Sequence, residues 1–390
     1  MKKNVLIISV SCLDRDPRIQ RQIQAYEGDY NIETLGVYPA NEKIKNFQIR
    51  TRKVAEQLFS LKKIKSAIDI ALGRVEEYMH YFYSIEEICA YDIAFPDMIV
   101  ANEWDGLYIA SELRRAKGWQ TKVYYDAHEY SPKEYNTIFW ALFLRPQALF
   151  SLRQKNSFQV MSTVCPTLAR MYEDWFGAGR GTVRVITNSP NYESGLEPHP
   201  VGEKIRMIHH GSCARARQLE KMVDMLAYLP ADRYELTFML VKSDAAYYDE
   251  LVRRAGNFQN VHFIEPVPFS QIAGVTNHFD IGVYILDNKI INSRYALPNK
   301  FFEYVQARLA IAVGDSPEMR AYIEKYQLGV SAKKNTPKAM AEEIRKLSAE
   351  DIMRFKRNAH EHALELSAEQ NIVRLKEIAA DLTGNPEKAV

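Results

Sequence analysis

Lys300 and Glu303 stand three residues apart in the stretch Tyr295-Ala-Leu-Pro-Asn-Lys-Phe-Phe-Glu-Tyr304. On a helix that spacing puts an ammonium and a carboxylate on one face. Pro298 fits the first turn of a helix, where its missing N–H costs nothing and its fixed φ is already helical. The backbone N–H groups of Asn299, Lys300 and Phe301 then lack intrahelical acceptors and lie at the positive end of the helix dipole. Such an end binds phosphate, and Lys300 adds a formal charge to it. An ionised Glu303 can accept two hydrogen bonds from a ribose diol. One turn of helix thus predicts a seat for a diphosphate and its ribose. A plain helix with an exposed Lys/Glu pair fits the same residues equally well. Phe301, Phe302 and Val305 point toward a core, and residues 309–313 read as the next buried strand.

Three further stretches carry chemistry-bearing residues. Strand 122–126 runs into Asp126-Ala-His-Glu-Tyr130, which places His128 and Glu129 at the carboxyl end of a strand, where doubly wound sheets present their ligands. Strand 204–211 ends in Gly211 and Ser212, small residues that let a ligand approach the backbone, and Arg215 and Arg217 follow. After the first strand, 4–10, comes the turn Asp14-Arg15-Asp16-Pro17-Arg18. Its formal D-x-D pattern is short enough to arise by chance, and Asp before a helix favours capping alone.

The elements that must position these residues alternate strand and helix through two halves. Strands are expected at 97–101, 158–164 and 184–188 in the first half and at 236–241, 261–264 and 280–285 in the second. Residues 192–203, rich in Pro, Gly and Glu and without periodicity, read as a linker. The 390 residues are 47% hydrophobic and 26% charged with a net charge of +2, the composition of a globular protein in two domains with no general attraction to nucleic acid. No apolar run approaches a membrane span, so a cytoplasmic protein is expected. Cys12, Cys89, Cys165 and Cys213 are too dispersed for a zinc or redox motif. From Lys43 to Lys65 eight basic residues and one acid give a local charge of +7, interleaved with Leu58, Phe59, Leu61 and Ile64. A basic amphipathic helix resting on an anionic membrane is expected there.

The stretches Asp126–Tyr130, Gly211–Glu220 and Pro298–Glu303, in that order and spacing along the chain, resemble the motifs of GT-B glycosyltransferases of the retaining group called family 4. The resemblance covers nearly the whole chain. It implies two Rossmann-like doubly wound domains facing each other across a cleft, at 1–191 and 204–366, with a helix in 367–390 returning to the first. It implies that Lys300, Arg217 and the Asn299 N–H hold the leaving diphosphate, with Arg215 as the competitor, beside Gly211 and Ser212. Glu303 would bind the ribose, and backbone atoms near Val267 the nucleobase. His128 would lie near the donor sugar, Asp16 and Arg18 in a loop over the cleft, and Glu129 toward the acceptor. Many relatives carry a second glutamate eight positions before the ribose-binding one; here that position is Tyr295. The implied activity moves a sugar, with retention and without a metal, from a UDP- or GDP-sugar to a glycan or lipid-linked acceptor of a bacterial surface polysaccharide. A nucleotide-sugar epimerase and a catalytically silent scaffold of the same fold remain the alternatives.

Overall fold

Short runs of Val, Ile, Leu and Met flanked by polar turns fold as strands buried on both faces, the mark of parallel sheets covered by helices. In the computed structural model, which describes residues 2–51, 69–70, 73–154 and 156–384, the chain divides into two units. The first comprises residues 1–186 with 371–390, the second residues 187–370.

The first unit contains β1 (Lys3–Cys12), α1 (Pro17–Tyr26), β2 (Tyr30–Tyr38), β3 (Lys45–Gln48), β4 (Met98–Asn102), α2 (Glu103–Lys117), β5 (Lys122–Ala127), β6 (Val160–Thr163) and β7 (Val183–Val185). Its sheet runs β3-β2-β1-β4-β5-β6-β7 with every neighbour parallel. The chain order reverses beside β1, so the switch point lies between β1 and β4. β4 is buried throughout.

The second unit repeats the plan with β8 (Ile205–Ser212), α3 (Glu220–Met225), β9 (Tyr234–Val241), β10 (Val261–Ile264), β11 (Ile281–Tyr284), α4 (Asn299–Gln306), β12 (Ala310–Val313) and β13 (Gly329–Ser331). The order β10-β9-β8-β11-β12-β13 is again wholly parallel, with its switch point between β8 and β11. The last helix, α5 (Ala368–Thr383), places Leu375, Ile378, Ala379 and Leu382 in the first unit's core against Val5, Ile7, Met98 and Val100.

Several elements differ from the sequence reading. β2, β3 and β13 are additional strands; the last two are three or four residues long, too short for a legible alternation. Residues 187–191 and the expected linker 192–203 belong to the second unit. There the Tyr192 N–H donates to the Glu369 carboxylate at 3.0 Å, and Arg308 donates to the Glu193 carbonyl at 2.6 Å. Of the stretch expected as a basic amphipathic helix, Lys45–Gln48 is strand β3, with Lys45 3.2 Å from Glu33; residues 52–65 lie outside the described residues.

Candidate nucleotide-diphosphate site

α4 follows the loop after β11 and carries the Lys300/Glu303 pair. Phe301, Phe302 and Val305 are buried as expected. Pro298 is the residue capping this helix rather than its first helical residue, with extended backbone angles. One consequence is that the Phe301 N–H donates to the Pro298 carbonyl at 3.0 Å. Two N–H groups, those of Asn299 and Lys300, are therefore left at the helix start, one fewer than the sequence suggests.

Lys300 is 5% exposed. Its Nζ lies 4.5 Å over the Tyr284 ring at the end of β11 and against Gly211 at the end of β8. Gly211 has φ +122°, a conformation that favours glycine, and a Cβ there would crowd that ammonium at 3.2 Å. Lys300 has no carboxylate at ion-pair distance and no hydrogen-bond acceptor among the described residues. Burial, and then the neighbouring Arg217, push its ammonium down to about 7, partly offset by Glu303.

Arg217 lies in a 3-10 turn, Arg215–Arg217, that precedes α3; the helix opens at Glu220 rather than at Arg217. It forms no ion pair among the described residues. Its field depresses Lys300, His209 and His210 alike. Arg215 is engaged elsewhere: it is exposed, pairs with Glu250 at 2.8 Å and stacks on Tyr247. Between the two arginines, geometry favours Arg217 as the free cation. Ser212 Oγ is 2.6 Å from Ser243 Oγ. Val267 sits in the loop after β10, at the same carboxyl edge of the sheet.

Glu303 is buried, and its Oε2 lies 3.3 Å from Nε2 of His210, the residue before Gly211. Burial, then Lys300 and Arg217, hold the His210 imidazole neutral, down to about 3. The sequence reading passed over His210 and Tyr284. The available signal was position, since both end strands that flank the switch point.

In the first unit the polar residues are tied to one another. Asp16 caps α1, accepting from the Arg18 N–H at 3.0 Å and the Ser11 hydroxyl at 2.9 Å; Asp14 lies 3.5 Å from Arg15. Among the described residues no group of three His, Cys, Asp or Glu could hold a metal ion. Arg18, expected in an open loop, is buried and grips Asp126 through Nε at 2.6 Å and through a second nitrogen. A third nitrogen donates to the Ile186 carbonyl. Burial opposes both charges, yet Arg18 holds the Asp126 carboxyl down to about 2. Gln22 and Ser162 also donate to Asp126, and Gln22 and Asn102 bond each other.

His128 lies above this network, its Nε2 3.4 Å from Asn102 Oδ1 and 3.8 Å from Asp126. Burial, then Arg18, lower its pKa to about 4, which leaves a neutral ring. Its backbone N–H donates to Glu103 at 3.0 Å. Glu103 opens α2 in a left-handed conformation, φ +59°, a position that sequence gave no reason to single out. Burial raises the carboxyls of Asp105 and Glu129 to about 7, Glu129 with help from Glu134.

No family model matches the sequence, and no curated protein matches it. The structure is similar to a glycosyltransferase from Rickettsia africae ESF-5, at 11% identity over 98% of this chain and 99% of that one, TM-score 0.67. It is similar also to HepE of Anabaena in complex with UDP and glucose, at 12% identity over 96% and 99%, TM-score 0.67. A third is WaaG, a glycosyltransferase involved in lipopolysaccharide biosynthesis, at 11% identity over 95% and 99%, TM-score 0.63. These likenesses, with the two doubly wound parallel sheets, define the fold as GT-B.

Proposed function

We propose that the chain is a glycosyltransferase that uses a UDP- or GDP-sugar as donor and a glycan or lipid-linked molecule as acceptor. The observation that carries this reading is Lys300: a buried ammonium without a counter-ion, beside two free helix-start N–H groups and Arg217. A buried cation is stable only when paired, and a diphosphate supplies the missing charge with oxygens for each donor. HepE, of the same fold, is described with UDP and glucose, which supports that choice of anion.

In the reaction the bond between the sugar's anomeric carbon and the diphosphate oxygen breaks, and the acceptor oxygen bonds to that carbon. The acceptor's proton leaves to the departing diphosphate, an arrangement that gives retention. Lys300, Arg217 and the Asn299 and Lys300 N–H groups stabilise the charge that develops on the leaving group. They do so without requiring a metal. Glu303 fixes the ribose. A lipid-bearing acceptor finds support in Ile138, Phe139 and Leu142, which are 80%, 60% and 60% exposed in the first unit, an apolar patch of the kind that meets lipid or protein. Surface polysaccharide is the acceptor class that WaaG suggests.

The test is a panel of UDP-, GDP-, ADP- and CMP-sugars with thermal-shift and turnover readouts. A ligand at 100 times its dissociation constant stabilises by about 2.7 kcal/mol. One stabilising donor, lost in Lys300→Ala, is the expected result; stabilisation undiminished in that variant would remove the site assignment.

A further inference from the structure

We propose that His210 is a positioning residue for the ribose-binding carboxylate: its Nε2–H holds Glu303 so that the carboxylate faces the ribose diol. This rests on the nucleotide-diphosphate reading of the site and adds to it how ribose is distinguished from deoxyribose.

Four observations support it. His210 is the penultimate residue but one of β8, at the switch point, with its side chain 3% exposed. Its ring packs edge-on against Tyr304 at 5.3 Å, which fixes its plane. Nε2 lies 3.3 Å from Glu303 Oε2 without hydrogen-bond geometry and bonds no other group among the described residues, so it is free to close on that carboxylate when the ribose is bound. A carboxylate only accepts, so the nitrogen facing it must carry the proton. Lys300 lies on the same helical face as Glu303, one turn earlier, and competes for the carboxylate by charge. A neutral N–H donor restrains Glu303 without adding a third positive charge beside Lys300 and Arg217. Buried orienting partners of this kind are what hold a binding carboxylate in one geometry.

The experiment measures binding of UDP, GDP and their 2′,3′-dideoxy forms to the full-length chain, its His210→Phe and its His210→Gln variants. Thermal unfolding of each variant checks that it is folded. Wild-type chain is expected to prefer the ribo form by about tenfold or more, near 1.4 kcal/mol. His210→Phe should lose most of that preference while binding the dideoxy form as before. His210→Gln, which keeps an N–H donor, should recover part of it. Equal losses for ribo and dideoxy forms in His210→Phe, or an undiminished ribo preference, would overturn the inference while leaving the diphosphate site standing. If unaltered chain binds neither UDP nor GDP, the proposed function itself fails, and this inference with it.

Discussion

Each unit buries charge near the carboxyl ends of its strands, and the two treat it in opposite ways. In the first, Arg18 and Asp126 sit beneath the carboxyl ends of β1 and β5 with each charge met by the other and by Gln22, Ser162 and the Ile186 carbonyl. In the second, Lys300 sits at the end of β8 and β11 with an aromatic face, a glycine and another cation for neighbours. A saturated buried pair holds a fold in register; an unpaired buried charge leaves its compensation to be supplied from outside the fold. The depressed ammonium of Lys300 and the depressed carboxyl of Asp126 record the difference, the first set by burial, the second by Arg18 overcoming burial.

The largest expected effect would break the first half of that comparison. Arg18→Met leaves Asp126 buried without its counter-charge, and losses of about 3–5 kcal/mol follow from removing one partner of such a pair. Denaturant unfolding should show this; a loss under about 1 kcal/mol would mean the pair is not the anchor its geometry suggests. The second half predicts the reverse. Lys300→Met removes an unpaired buried charge and should unfold no earlier than the unaltered chain, while affinity for the donor falls about a hundredfold, near 2.7 kcal/mol. Calorimetry on both variants separates the two roles: parallel loss of stability and binding in Lys300→Met would make it structural after all. Smaller again is the contrast between the arginines. Arg217→Ala should weaken donor binding roughly tenfold, the range of one charge-assisted hydrogen bond, whereas Arg215→Ala, which breaks only an exposed pair with Glu250, should leave it within about twofold.

The same contrast explains what the sequence made legible. Alternation of strands and helices, the Lys300/Glu303 spacing and the polar residues after strands are local patterns, and they located both sheets and the helix start. Arg18 misled because a charged residue in a Pro-containing turn looks exposed; its partner Asp126 is 108 residues away, and pairing at that separation leaves no local trace. His210 was hidden for the complementary reason. It reads as one more residue of a buried strand, and only the approach of α4 to the end of β8 gives it Glu303 as a neighbour. Which arginine is free was likewise decided by Glu250 and Tyr247, on a later helix.

The finest test of the comparison is pH. Lys300 titrates near 7 because it is buried and faces Arg217. A bound diphosphate would favour the ammonium and raise that value, so binding takes up a proton wherever the unbound lysine has lost one. Affinity for a nucleotide sugar is therefore fullest below about pH 6 and declines as pH rises through 7, by about tenfold between pH 6 and 8 for one proton linked. The donor's diphosphate diester stays ionised over this range, and His128 and His210, near 4 and 3, are neutral throughout. Asp105 and Glu129 also titrate near 7, so equilibrium binding is the readout to use, since turnover would mix their ionisation with that of Lys300. Calorimetry in buffers of different ionisation enthalpy counts the proton directly. In Arg217→Ala the repulsion is gone, and the decline should begin at higher pH; in Lys300→Met it should vanish. A wild-type affinity that is flat from pH 6 to 8 would mean that Lys300 keeps its proton without a ligand, and that the charge in the second unit is already balanced as Arg18 is in the first.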